Sequence, residues 1–109
     1  MRENKPQYVI QPPNIPMFLY KSSALALREL IEWANKEHKV RREYLIKHGY
    51  WKTLKFYEDN ESPITILAEM SGFRRIASLI SQRAWDKLSG RERVFIRRSY
   101  ELRDLLLRS

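Results

Sequence analysis

The sequence predicts an all-α protein: a small bundle of four or five helices with an extended, proline-rich N-terminal arm. Three observations point there. Apolar residues recur at three- and four-residue spacing from Leu27 onward. Four of the five prolines, Pro6, Pro12, Pro13 and Pro16, fall in the first sixteen residues. Two strong helix-start signals, Ser62-Pro63 and Ser89-x-x-Glu92, stand ahead of apolar runs. With 109 residues, 43% of them hydrophobic and 31% charged, the chain suits one domain with a core of its own. The expected division is an arm over 1–21 and a single helical domain over 22–109.

In the arm, proline removes backbone donors and restricts its preceding neighbour, which disfavours helix and central strand. The arm is nevertheless apolar at Val9, Ile10, Ile15, Met17 and Phe18. Such a segment lies over the domain's own core, packs on a protein partner or second subunit, or is disordered. From Ser22-Ser23, either of which can cap a helix, Leu27, Leu30, Ile31 and Ala34 mark a first helix. The pattern extends through Val40, Tyr44 and Leu45 towards Gly49, and the polar run 35–39 is expected to break it. A short helix over 50–57 follows, with a strand as the alternative that its alternation allows, then a polar connector over 58–61. Ser62-Pro63 opens the next helix, with Ile64, Ile66, Leu67 and Met70 on its apolar side, and Gly72 interrupts it. Phe73, Ile76, Leu79, Ile80, Ala84 and Leu88 form another periodic set. The final helix starts at the Ser89/Glu92 capping box, and its expected seam is Phe95, Leu102 and Leu106, with the small Ser99 between them; Val94 and Leu105 widen it, and Ile96 and Leu107 add to it.

Several chemistries are excluded. There is no cysteine, so disulfides, thiol catalysis and Cys-based metal centres are absent. His38 and His48, the only histidines, stand ten residues apart with no ligand spacing around them, and no metal site is expected. No glycine-rich phosphate loop or dinucleotide fingerprint occurs, so no cofactor is expected. Glu69, Ser71, Ser78 and Tyr100 lack partners at recognisable catalytic spacing, and the chain reads as non-catalytic. No apolar run is long enough to span a bilayer, and the reading is a cytoplasmic or otherwise intracellular protein without a membrane association.

The most informative local pattern is Ile66 to Ile80, within a candidate element at about 64–88. Ala68 stands four residues before Gly72, and Phe73 follows it. This resembles a helix-turn-helix unit, in which a second helix enters the major groove and offers early side chains to bases. Here those side chains are Arg74, Arg75 and Ser78. Apolar residues follow Gly72 at plus four, seven and eight, whereas the usual pattern has them at plus six and nine or ten. That shifts the buried face by roughly half a turn. An Ala-x-x-x-Gly helix junction in an ordinary bundle is the competing reading.

Charge favours a polyanion. The formal charge is +8, and the stretch 71–98 carries +6 of it through eight basic and two acidic residues. Arg83, Lys87, Arg91, Arg93 and Arg97 extend the arginine-rich set as candidate phosphate contacts. A second group, Lys36, Lys39, Arg41, Arg42 and Lys47, is interleaved with Tyr44, His48, Tyr50 and Trp51; half-buried packing of Tyr44 and Trp51 is the simpler expectation. The resulting expectation is a small accessory or regulatory protein that binds nucleic acid, duplex DNA before RNA; a homodimer would let it read two half-sites. The alternative is an adaptor docking onto a protein partner through Val9, Ile10, Ile15, Met17 and Phe18.

Overall fold

The structure, a computed structural model, describes residues 10–108. Among the described residues it is all-helical, as the patterning predicts, and it contains seven helices rather than four or five. They are α1 (Met17–Ser22), α2 (Ala24–Lys47), α3 (Trp51–Asn60), α4 (Pro63–Glu69), α5 (Phe73–Leu79), α6 (Gln82–Asp86) and α7 (Gly90–Arg108). The molecule is elongated, with extents of 45 × 26 × 24 Å.

The arm ends in a helix. Residues 10–16 are without regular structure, but Met17–Ser22 is helical and buries Tyr20. Proline is tolerated just ahead of a helix, and Pro16 stands there. Residues 10–17 lie on the domain itself. Ile15 and Met17 pack against the core, Trp33 Nε1 donates to the Ile10 carbonyl at 2.8 Å, and the Ile10 N–H donates to Glu37 at 2.6 Å.

Helix α2 is unbroken for 24 residues, against the expected bend at 35–39. The run is polar in composition yet keeps the helical register of the inner face. Ala34 and Glu37 are completely buried, continuing the line of Leu27, Leu30 and Ile31. Burying Glu37 is tolerable because its carboxylate accepts from Ile10 N and from Arg41 Nε at 3.0 Å. Ser23, rather than Ser22, is the cap, its hydroxyl accepting from Ala26 N. The expected connector at 58–61 is mostly helix: α3 continues through Asn60, tied to α2 by Tyr57 Oη donating to the His38 carbonyl and by the Arg42–Glu58 pair.

Two cores result. The larger gathers Leu27, Leu30, Leu67, Phe73, Ile76 and Ile96 from α2, α4, α5 and α7. The smaller, Leu45, Leu54 and Tyr57, holds α3 on the C-terminal half of α2. The buried residues of α7 are Ile96 and Ser99, while Phe95 packs against the core from one side. Phe95 and Leu102 are half-buried, and Leu106 is exposed. Ser99 is fully buried because its small side chain admits α4, and its hydroxyl donates to the Ile64 and Phe95 carbonyls. The capping box forms as patterned: Glu92 N donates to Ser89 Oγ, and Ser89 N donates to Glu92 Oε1 at 2.7 Å.

Candidate nucleic-acid interface

Helices α4 and α5 are joined by a turn at Met70-Ser71-Gly72. Ser62 caps α4 by accepting from Thr65 N, and Pro63 occupies the first turn. Gly72 has φ +83°, a left-handed conformation that side chains other than glycine's disfavour, and it starts α5 directly. Ala68 is completely buried, and Arg103 Nη1 donates to its carbonyl at 3.0 Å, satisfying the end of α4 from α7.

Phe73 and Ile76 are the buried residues of α5. At about 100° per residue, Arg74, Arg75 and Ser78 then occupy the opposite, outward side, and all three are exposed. The shift in apolar spacing after Gly72 therefore has a structural counterpart: the early basic side chains of the second helix share one solvent face. Arg74 lies 3.7 Å from Asp104 of α7, a long ion pair that neutralises it only in part. Ser78 Oγ donates to the Arg75 carbonyl.

The remaining candidates are not gathered on that face alone. The periodic segment from Phe73 to Leu88 is divided between α5 and α6, because Ser81 caps α6 through Ala84 N and donates its own N–H to the Lys21 carbonyl. The second helix of the unit is thus only seven residues long. Arg83 is exposed on α6, and Lys87 caps the end of α6. Arg93 turns back onto the bundle, donating to the Leu88 carbonyl at 3.2 Å and the Asp86 carbonyl at 3.5 Å. On α7, helical spacing separates Arg93 and Arg97 on one flank from Arg91 and Arg98 on the other.

Arg97 lies over the Trp85 ring at 5.6 Å from its centre. The two border a cavity of about 320 Å³ between α5, α6 and α7, which Ser78, Gln82 and Tyr100 also line. Sequence reasoning misses Trp85 and Gln82 as site residues, and it weighs Tyr100 only as a catalytic side chain. The available signal was Tyr100 three residues after Arg97, one helical turn along.

At the other end, the two arginines of the second basic cluster are paired. Arg41 meets Glu37 and Arg42 meets Glu58. Tyr44 is half-buried beside His48 at 4.4 Å, but Trp51 is exposed, in contrast to the expected packing role. Of the candidate protein-docking residues, Ile10, Ile15 and Met17 are partly buried against the domain, Phe18 is exposed, and Val9 lies outside the described residues. No three His, Cys, Asp or Glu side chains are grouped to hold a metal ion among the described residues. No helix among them is long and apolar enough to cross a membrane. No family model, curated protein or solved structure matches the chain.

Proposed function

We propose that the protein is a non-catalytic nucleic-acid-binding accessory or regulatory protein that engages duplex DNA through α5 and the arginines around it. The observation that carries the reading is the shared outward face of Arg74, Arg75 and Ser78, set by a tight turn at Gly72. Arg83, Lys87, Arg91 and Arg97 add positive charge on neighbouring helices, where phosphate attraction requires no base-reading geometry. Arg93 contributes chiefly by holding the start of α7 to the end of α6. A two-helix unit with a seven-residue second helix offers few base-contacting positions, so backbone contacts dominate this reading and two copies would be needed to extend the site.

Fluorescence anisotropy of the full-length protein with matched duplex DNA, single-stranded DNA and RNA, at low and near-physiological salt, tests it. Duplex should bind preferentially and weaken as salt rises. Replacing Arg74 and Arg75 together by Ala should lower the slope of log K against log salt by about two, one for each lost phosphate contact. Absence of binding to every probe at low salt would reject the reading. The adaptor reading is favoured by one specific observation: Phe18 and Leu25, on α1 and the start of α2, are both 69% exposed. Capture of a protein partner lost on Phe18→Ser, without nucleic-acid affinity, would favour it.

A further inference from the structure

We propose that the cavity between α5, α6 and α7 seats a single unpaired nucleotide, its base against Trp85 and Tyr100 and its phosphate on Arg97. The inference rests on the nucleic-acid reading above and names a subsite within that interface. At about 320 Å³ the cavity is at the small end of ligand sites, a size suited to one nucleotide rather than to a longer segment.

The lining chemistry narrows the occupant. Ala77, Ile80 and Ile96 give it an apolar floor, and Trp85 and Tyr100 give it aromatic walls. No acidic residue lines it. Three of its polar side chains are already engaged: Ser78 Oγ donates to the Arg75 carbonyl, Ser81 Oγ caps α6, and the Gln82 amide donates to Asp86. Besides the Trp85 indole N–H and the Gln82 amide oxygen, two groups stay open among the described residues. One is the Arg97 guanidinium, which has Trp85 beneath it and no carboxylate in ion-pair range. The other is the Tyr100 hydroxyl. An unneutralised cation beside an aromatic, apolar recess calls for a ligand with a flat hydrophobic part and an anionic part. A nucleotide has both: every base has a face that stacks on indole or guanidinium, and its phosphate answers the cation.

Position supplies the link to the bound strand. Ser78 belongs both to the outward face of α5 and to the rim of the cavity. A strand lying along Arg74 and Arg75 therefore passes the opening, and a nucleotide without a pairing partner leaves the stack at low cost. The same chemistry would also take a free mononucleotide from solution.

The test uses the full-length protein and three probes: a matched duplex, the same duplex with a single-base bulge, and free dAMP. Anisotropy reads the duplexes, and calorimetry reads dAMP. The bulged duplex should bind about tenfold more tightly than the matched one, the gain of stacking one base. Tyr100→Ser, at an exposed position outside the arginine set, should erase the preference while the matched duplex still binds, and Arg97→Gln should erase it while weakening both duplexes through the lost phosphate attraction. Saturable dAMP binding that Arg97→Gln abolishes would support the same seat, filled from solution; if no duplex then bound, the DNA reading alone would fall. Equal affinity for both duplexes with no dAMP binding would overturn the seat and leave the DNA reading standing. A bulge preference untouched by both variants would also overturn it. No binding of any probe would overturn both.

Discussion

Two glutamates with opposite environments illustrate how single residues set the pH response of this fold. Burial raises the Glu61 carboxyl above the ordinary carboxylate range, the charge of Glu69 raises it further, and Arg41 only partly opposes them. A carboxyl with a raised folded-state pKa contributes stability at acid pH, below its unfolded value, and loses it as pH rises through the folded value. Glu61→Gln should therefore raise Tm by a few degrees at pH 7. Its advantage over the parent chain should vanish below about pH 4.5, the unperturbed value. Thermal unfolding followed by circular dichroism from pH 4 to 8 checks this; a Tm difference constant across the range would reject it. Glu92 runs the other way. The Ser89 N–H, followed by Arg28 and the Ser89 hydroxyl, outweighs some desolvation and lowers its pKa. Its contribution is present above the ordinary carboxylate value and is lost as pH falls through the lowered one.

Among the elements, the α4–α5 junction connects local conformation to the proposed interface. Gly72 has φ +83° with open space where a Cβ would stand, so the demand for glycine there is conformational rather than steric. Gly72→Ala should cost roughly 1–2 kcal/mol in urea unfolding, the penalty of a side chain in the left-handed region. A loss near zero would mean that the turn readjusts and that the direction of α5 is not set by Gly72. The neighbouring elements show why one periodic segment folds as two helices. From Phe73 to Leu88 the apolar spacing is continuous, yet the chain breaks at Ile80-Ser81. Ser81 has two roles there, capping α6 and donating to Lys21, and the second depends on α1 packing alongside α5. Spacing along one segment contains no record of that neighbour. The two serine caps beside distinctive residues, Ser62 before Pro63 and Ser89 before Glu92, were legible because each is satisfied within a few residues.

For the whole molecule, the arm and the two cores decide what remains available to a partner. Trp33 and Glu37 hold the backbone of Ile10 from both sides, a latch indifferent to the side chain it holds. Trp33→Phe removes one donor and should cost about 0.5–1.5 kcal/mol. It should also quicken chymotryptic cleavage within residues 10–20 while the helical domain stays resistant; unchanged cleavage would show that the latch does not hold the arm. The sequence by itself determined the helical class, the proline-rich start, the Ser62 and Ser89 helix starts, the Gly72 turn and the concentration of charge over 71–98. These depend on local spacing, backbone restriction and composition, which act between near neighbours in the chain. Tertiary structure decided that α2 runs straight through 35–39, because Glu37 finds Ile10 and Arg41 in the interior. It also decided which line of α7 is buried, since Ser99 rather than a larger apolar residue allows α4 to approach. The cavity belongs to the same class: Ser78, Trp85 and Arg97 lie on three different helices, and only the packing of those helices brings an indole, a cation and a recess together.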